Sequence, residues 1–381
     1  MKAVIHIGTH KTGTTTIQRF LYKNSRSLGA RGVFVPESRN DGKIKRTAQH
    51  NNLCAAALIP DMRKTLPIFA LVGYRAYHHI FKCEEEINST NQSKLWEKIR
   101  NDIETNSHED DLVLFSAESF SYFTPEEVEK LKHVMNSLFD EITIVLYLRR
   151  QPEYLVSHYG THVVRGSTWN IFDYLECPED RSLLAYHKLV ERWSIFGKDK
   201  LKIRIFDRQE FQDNDLLADF ASTVGFDIAG LDRVEDANVS WDSASIEFLR
   251  LLNSRCPAMS DSWEFNRDWR LLTANVRPFM KKGKKAYYLN RCEARRIIDQ
   301  FEEGNDWIAR EYLGREKLFS EDVSMYPEEV ASPHHLTLEQ CAEITAALCQ
   351  QIEQRRKKRL SHRFKTLLTR IKEGVSKIFG G

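Results

Sequence analysis

The fold of this chain is decided near its start, by the stretch Ala3-Val4-Ile5-His6-Ile7-Gly8-Thr9-His10-Lys11-Thr12-Gly13-Thr14-Thr15-Thr16-Ile17-Gln18-Arg19-Phe20-Leu21. A short apolar run ends at Gly8, and small polar residues follow it. Apolar residues then return at Ile17, Phe20 and Leu21, which is the spacing of one face of a helix. The pattern predicts a β-strand, a tight turn and an α-helix in direct succession.

The predicted turn has the chemistry of an anion-binding loop. Small residues allow backbone N–H groups to approach an anion, the following helix offers its positive end, and Lys11 adds a charge. Gly8 and Gly13 have the separation of the two glycines of a Walker A loop, but Thr14 stands where the Walker lysine belongs. The pattern favours binding of a phosphate or sulfate group, and a plain polar strand-to-helix turn is the alternative.

Size and composition indicate a globular protein and argue against several other classes. The 381 residues suffice for one large α/β domain with insertions or for two smaller domains. The 56 basic and 54 acidic residues nearly cancel, so no overall positive field favours nucleic acid as a partner. The 7 cysteines are scattered without a CxxC pair, which is typical of reduced thiols and not of a zinc site. The first apolar run is too short for a signal peptide, so we expect a cytoplasmic protein.

Further apolar runs predict strands at 32–36, 112–115, 142–148 and 201–206. Helical patterns lie between them. Thr124, Pro125 and Glu127 form a helix start, with an N-cap, a first-turn proline and a capping glutamate. A later helix ends near Gly197. The alternation predicts an α/β fold with a P-loop-like parallel sheet flanked by helices.

We expect three regions along the chain. Residues 1–227 form a nucleotide-binding α/β core, 228–350 a mainly helical cap or insertion, and 351–381 a basic amphipathic tail. The tail combines a basic cluster, 355–359, with apolar residues spaced along one helix face. One interpretation of 353–381 is a helix that lies on an anionic membrane surface. The alternative is a helix that docks on its own domain or on a partner subunit.

A second candidate binding segment follows the strand predicted at 142–148. Arg149 and Arg150 stand at the carboxyl end of that strand, where open α/β sheets usually bind ligands. A guanidinium forms paired hydrogen bonds with a phosphate, and Ser157 can donate to the same group from the following helix. Taken alone, this segment also fits a surface arginine and a helix-capping serine.

Together the two segments resemble the 3′-phosphoadenosine-5′-phosphosulfate (PAPS)-dependent sulfotransferases, in particular their bacterial carbohydrate-type branch. In that family a Lys-x-Gly-Thr-Thr loop after the first strand binds the 5′-phosphosulfate, and an Arg-to-Ser segment after a later strand binds the 3′-phosphate. Residues 11–15 match the first motif, and Arg149 with Ser157 matches the second. The resemblance covers residues 1–226. The spacing to Ser157 favours Arg149, with Arg150 as an assistant.

The resemblance implies in-line transfer of a sulfuryl group from PAPS to an acceptor hydroxyl, which leaves adenosine 3′,5′-bisphosphate (PAP). Catalysis would then depend on positioning and charge stabilisation, with no metal expected. Lys11 would be both catalytic and donor-binding, because it would neutralise charge on the leaving group. The other donor-binding residues implied are Thr12, Gly13, Thr14, Thr15, Thr16, Arg149 and Ser157.

A base must take the proton of the acceptor hydroxyl. Related sulfotransferases use a glutamate or a histidine, so two candidates are kept. Glu118, just after the strand at 112–115, is preferred, and a carboxylate that interacts with a helix dipole is its alternative. His50 is the second candidate, with a structural role as its alternative. His158 and His162 are interpreted as structural and not as metal ligands.

The acceptor implied by the resemblance is the hydroxyl of a carbohydrate or glycoconjugate. Cap residues that could hold it, each with plain surface or core as the alternative, are Trp263, Trp269, Arg277, Lys281, Lys282, Lys284 and Lys285. Two other functions are kept open. A P-loop kinase or NTPase fits the strand–loop–helix entry, and a catalytically silent nucleotide-binding scaffold fits a chain that docks through its tail. The expected location is cytoplasmic, with peripheral contact at the inner face of the membrane through 353–381.

Overall fold

The structure is a computed structural model. It describes residues 1–37, 39–40, 43–44, 49–59, 87–176, 183–234, 242–258, 266, 268–269, 273, 288–330, 337–339, 341–343, 345–346, 350 and 353. The basic tail expected at 351–381 therefore lies almost wholly outside the described residues, and its interpretation stays a prediction.

Strands and helices alternate along the described chain. The strands are β1 (Lys2–Gly8), β2 (Val33–Phe34), β3 (Arg39–Asn40), β4 (Lys43–Ile44), β5 (Leu112–Ala117), β6 (Glu141–Leu148) and β7 (Leu201–Ile205). The helices are α1 (Thr14–Lys23), α2 (Ser25–Gly29), α3 (Asn51–Ala57), α4 (Ser89–Asn106), α5 (Pro125–Asn136), α6 (Gln151–Val164), α7 (Ile171–Leu175), α8 (Tyr186–Trp193), α9 (Leu216–Val224), α10 (Ser243–Arg255) and α11 (Arg291–Ile308). A 3-10 turn at Glu118–Tyr122 follows β5 directly.

The main sheet of the described residues has the strand order β2-β5-β1-β6-β7, and all of its pairings are parallel. The central strand, β1, pairs with both β5 and β6. Ile7 lies opposite Ala117 on one side and Leu146 on the other. Because the strands are parallel, the segments that follow Gly8, Ala117 and Leu148 all leave the sheet at the same edge.

Both faces of the sheet are buried, which explains why its strands are apolar almost throughout. Ile5 belongs to a core that also contains side chains of α3, α4, α5 and α8, whereas its neighbour Val4 belongs to a core with α1 and α9. Full burial of such a side chain contributes about 1.5–3 kcal/mol. Two cores of this kind hold the strand ends, and the loops that leave them, in fixed positions.

The predicted α/β fold, with a parallel sheet flanked by helices, is confirmed. All of the predicted strands are present, the second one as the short β2. The helix start at Thr124 is a complete capping box: Thr124 Oγ1 accepts from the Glu127 amide, and the Glu127 carboxylate accepts from the Thr124 amide. The chain turns at Gly197, with φ 114°, after α8 and a single 3-10 turn.

Packing divides the chain into two compact units, and the division differs from the expected boundary at 227. The first unit comprises Met1–His158, Tyr174–Val239 and Leu289–Glu328. Residues 289–328 were expected in the cap, yet Ile308 and Leu318 are buried in the same core as Ile5. Helical periodicity shows which face of a helix is apolar, but it does not show which surface that face will cover.

The second unit contains α10 and the last part of α6. Asn253 on α10 donates from Nδ2 to the carbonyls of Val163 and Ser167, at 2.8 and 2.9 Å. Its Oδ1 accepts from Trp269 Nε1 at 2.9 Å. Across the described parts of both units, no helix is long and apolar enough to cross a bilayer.

Candidate functional site

The loop between β1 and α1 has the tight backbone that an anion site requires. Lys11 and Gly13 are both left-handed, with φ 66° and 76°. Thr12 Oγ1 donates to the Thr9 carbonyl at 2.6 Å, and Thr9 Oγ1 donates to the carbonyl of Tyr147 on β6 at 2.9 Å. These bonds fix the loop to itself and to the neighbouring strand.

Gly8 and Thr14 are in close contact at the two ends of this loop. A Cβ atom at Gly8 would lie 2.3 Å from Thr14 Oγ1, so only glycine leaves room for the threonine side chain. Thr14 is 1% exposed, and its Oγ1 is buried without a hydrogen bond to any described residue. A buried hydroxyl of this kind is costly unless a further group bonds to it. Its position at the start of α1 is one that an anion bound in the loop would reach.

The start of α1 presents backbone donors to the same place. The Gly13 carbonyl accepts from the amides of Thr16 and Ile17, at 2.9 and 3.1 Å. The amides of Thr14 and Thr15 belong to the first turn and therefore have no intrahelical acceptor. Gly13 carries no side chain that could cap them. These donors, together with the helix dipole, favour a bound anion.

Arg149 leaves the end of β6 and lies against this loop. Its Nη1 donates to the Lys11 carbonyl at 2.9 Å, and its guanidinium carbon is 5.5 Å from the centre of the Phe206 ring. Tyr186 Oη donates to the Arg149 carbonyl at 2.6 Å. Burial lowers the pKa of the Arg149 guanidinium, while the nearby Glu153 carboxylate raises it. An arginine stays charged in any case, so a fixed cation with further N–H donors stands beside the loop.

Arg150 points elsewhere. Its Nη1 donates to Glu153 Oε1 at 3.0 Å, and its Nη2 donates to the carbonyl of Asp322 at 2.7 Å. Of the two adjacent arginines, Arg149 is therefore the one that contacts the loop. Ser157 is half-buried on α6, about two turns after the helix begins.

Glu118 meets a histidine of the loop at the edge of the sheet. Because Ile7 pairs with Ala117, the residues that follow β1 and β5 leave the sheet side by side. Glu118 Oε2 lies 2.9 Å from His10 Nδ1, and the two side chains are 20% and 11% exposed. Sequence reasoning missed His10 as a site residue. Its place next to Lys11 was the available signal, but the contact depends on the order of the strands.

The ring of His10 is held on several sides. It stacks on His158 of α6 with the ring centres 5.4 Å apart, and Tyr122 lies 5.3 Å away. His158 in turn bonds through Nδ1 to Tyr174 Oη at 2.7 Å and stacks on Tyr154. His158 therefore has a packing role in the structure. Within the described residues, no group of three or more metal-ligating side chains occurs.

His50 is buried below the site and bonded to backbone on both sides of its ring. Nδ1 accepts from the Ser116 amide at 2.9 Å, so Nε2 must carry the proton that it donates to the Pro36 carbonyl, also at 2.9 Å. Burial lowers the pKa of His50 to about 4, although its contacts with backbone carbonyls raise it. This histidine is fully buried and joins β5 to the segment after β2.

Of the cap residues expected to bind the acceptor, the structure describes Trp269 and leaves the others outside the described residues. Trp269 is 5% exposed, with its indole N–H bonded to Asn253, which leaves it no open face for a sugar ring. The alternative kept for this residue, a place in the core, is the one observed, because the tryptophan is buried within the second unit. Trp263, Arg277 and the lysines at 281–285 lie outside the described residues.

Comparison with known proteins gives few relatives. No protein-family model matches the chain. An uncharacterized protein of Archaeoglobus fulgidus is 24% identical over 237 residues, which are 59% of this chain and 61% of that protein. The chain thus matches less than two thirds of the length of that relative.

Several solved structures are similar to the chain. A sulfotransferase from Alicyclobacillus acidocaldarius has 15% identity and a TM-score of 0.37, and the match covers 66% of this chain and 91% of that one. A sulfotransferase domain from the curacin biosynthetic pathway has 9% identity and a TM-score of 0.33, with 60% and 76% covered. A sulfotransferase domain from the olefin synthase of Synechococcus PCC 7002 has 13% identity and a TM-score of 0.29, with 73% and 94% covered. Similarity at this level assigns neither substrate nor cofactor.

Proposed function

We propose that the protein transfers a sulfuryl group from PAPS to an acceptor hydroxyl. The observation that carries this proposal is the contact between the two candidate binding segments. Arg149 and the Lys11 loop are 138 residues apart in sequence, yet the guanidinium donates to the loop backbone. A donor with a charged group at each end requires two anion sites side by side.

The Lys11 loop is the proposed site for the 5′-phosphosulfate. The ammonium group of Lys11 neutralises charge on the leaving phosphate as the S–O bond breaks. The leaving oxygen is where negative charge develops in such transfers. The buried hydroxyl of Thr14, which has no bond to the described residues, supports an anion at this place. The loop residues proposed to hold this end of the donor are Thr12, Gly13, Thr14, Thr15 and Thr16.

Arg149 and Ser157 are proposed to hold the 3′-phosphate. The stacking of the guanidinium on Phe206 and its bond to Lys11 reduce the number of arginine conformations before a ligand arrives. Less side-chain freedom is then lost on binding, which favours affinity. Arg150, held by Glu153 and the Asp322 carbonyl, is not proposed to bind the donor.

We propose that the acceptor proton is removed at the edge of the sheet where Glu118 lies, and not at His50. Glu118 is partly exposed at the edge of the sheet where Lys11 and Arg149 also lie. Both nitrogens of His50 are taken by backbone groups, and the ring is fully buried. A base must reach the proton that it removes, and His50 lacks that access.

The acceptor is proposed to be a carbohydrate or glycoconjugate, and the reaction to require no metal. Peripheral membrane contact through 353–381 is part of the same proposal, because it would bring the enzyme to lipid-linked acceptors. The basic cluster at 355–359 supports attraction to an anionic surface. The near balance of acidic and basic residues supports a partner other than nucleic acid.

Two other functions receive less support. A P-loop kinase would need the lysine that Thr14 replaces, and it would need Mg²⁺ with ATP. A silent scaffold would not need charged and titratable side chains collected in one place. Lys11, Arg149 and Glu118 all lie at one edge of the sheet, which favours an enzyme over a scaffold.

The test is thermal unfolding of the full-length protein with PAP, with ADP, and with ATP plus Mg²⁺. At one hundred times its dissociation constant, PAP should stabilise the protein by about 2.7 kcal/mol. The effect should be lost in Arg149→Ala and kept in Arg208→Ala, an exposed arginine used as the matched control. Stabilisation by ATP with Mg²⁺ alone would overturn the proposal in favour of a kinase, and no response to any nucleotide would favour the scaffold.

A further inference from the structure

The contact between His10 and Glu118 has the geometry of a carboxylate–histidine pair. Glu118 Oε2 lies 2.9 Å from His10 Nδ1, so a neutral imidazole that donates from Nδ1 keeps Nε2 as an acceptor. His10 Nε2 makes no hydrogen bond within the described part of the chain, whereas both nitrogens of the buried His50 are occupied. The pair therefore offers one basic nitrogen, oriented by a carboxylate.

The surroundings of His10 fix the direction of its ring. Stacking on His158 and contact with Tyr122 leave the imidazole little freedom to rotate away from Glu118. His158 is itself held by its bond to Tyr174 Oη. Contacts of this kind hold the imidazole in one orientation, and general base catalysis requires an oriented base.

We infer that His10 Nε2 removes the proton of the acceptor hydroxyl and that Glu118 is its positioning residue. The inference rests on the proposed function and adds the atom at which the proton moves. His10 directly precedes Lys11, so the base and the cation that stabilises the leaving group belong to one rigid loop.

The acceptor oxygen forms a bond to sulfur while the bond between sulfur and the phosphate oxygen of PAPS breaks, and that electron pair stays on PAP. The hydroxyl proton passes to His10 Nε2 and gives an imidazolium, which Glu118 stabilises through Nδ1–H. The proton then leaves to solvent and restores the neutral ring.

Titratable groups from several elements surround the imidazole. They are Glu118 and Tyr122 from the 3-10 turn and His158 from α6, and Lys11 is the next residue in the loop. His6 of β1 lies below, is fully buried, and has its pKa lowered to about 4 by burial despite the influence of Glu118. His6 is thus neutral at neutral pH, and Glu118 is the acidic side chain in contact with the His10 ring.

The experiment measures release of [³⁵S]sulfate from [³⁵S]PAPS by the full-length protein, with water as the acceptor. His10→Gln should lower the rate by about 10²–10⁴-fold, because its amide can still donate to Glu118 but cannot take a proton. Glu118→Ala should lower the rate, because it removes the group that orients the ring, and Glu118→Gln should restore part of it, because its amide oxygen can still accept from Nδ1–H. The controls are His133→Gln and Glu129→Gln, two exposed residues of α5.

Thermal stabilisation by PAP is measured on the same proteins and separates the two proposals. Wild-type protein that PAP does not stabilise overturns the proposed function. If PAP stabilises all variants and His10→Gln keeps its rate within threefold, only the inference about His10 is overturned. Wild-type protein that binds PAP but releases no sulfate also contradicts it, because an assembled base should activate water. A rate in Glu118→Gln no higher than that of Glu118→Ala would show that Glu118 does not orient His10.

Discussion

The contact between Gly8 and Thr14 leads to a prediction whose size can be derived from the structure. In Gly8→Ala the new Cβ would lie 2.3 Å from Thr14 Oγ1 and 2.8 Å from its Cγ2. Comfortable contacts between carbon atoms are about 3.5–4.0 Å, so either the strand end or the start of α1 must move. Overpacking of this kind costs about 1–3 kcal/mol.

A double-mutant cycle tests whether Thr14 is the cause. Thr14→Ala removes both atoms in conflict and leaves its own Cβ 3.1 Å from the added methyl group. We therefore expect the cost of Gly8→Ala to fall by about 1–2 kcal/mol in the Thr14→Ala background. The measurement is urea unfolding of the four proteins, followed by circular dichroism.

Gly29→Ala provides the matched control for this cycle. Nothing lies within 4 Å of a Cβ at that position, which is in helix α2. Alanine there should be neutral or stabilising by about 0.5–1 kcal/mol. Equal costs of Gly8→Ala with and without the Thr14 side chain would refute the reasoning, because the strain would then arise elsewhere in the loop.

Two further predictions concern Arg149, which is proposed to bind the donor, and the buried histidines. Arg149→Lys keeps the charge but loses the planar fork and the stacking on Phe206, so affinity for PAP should fall about tenfold or more by calorimetry, whereas an unchanged affinity would show that charge alone suffices. His6 and His50 both have a folded-state pKa of about 4, below the unfolded value, so the unfolded chain binds more protons. The stability that each neutral histidine contributes is therefore complete above about pH 6.5 and is lost as the pH falls towards 4. The upper estimate of this loss in the free energy of unfolding is about 2–3 kcal/mol for each histidine at pH 4.5. Urea unfolding of His50→Gln at pH 7 and pH 4.5 should show a smaller loss than wild type, and an equal loss would contradict this assignment.

The parts of the fold that depend on local pattern could be predicted from the sequence. Apolar runs bounded by turn residues define β1, β6 and β7, and the capping residues around Thr124 define the start of α5. The loop at Lys11 was recognisable because its glycines and threonines are adjacent in sequence. Each of these features is settled within a window of about one turn or one strand.

The pairing of distant segments could not be predicted in the same way. The contact of His10 with Glu118 exists because β1 and β5 are neighbours, and strand order is a property of the whole sheet. Residues 289–328 have a helical pattern, but their place on the sheet depends on which apolar surface was left uncovered. The choice between a base and a structural role for His50 was also left open, because burial of a histidine depends on what packs above it.

At position 11 the proposed charge requires a lysine, whereas the backbone conformation favours a different residue. Its φ of 66° is one that glycine or asparagine adopts easily, whereas for lysine it costs about 1–2 kcal/mol. Hydrogen bonds around the loop, including the one from Arg149 Nη1 to the Lys11 carbonyl, hold Lys11 in this left-handed conformation. With the role proposed for Lys11, the most stable form of the loop and the form that binds the donor are therefore different sequences. Selection of variants for heat resistance alone would lead away from lysine at this position, so stabilised variants should also be tested for binding of PAP.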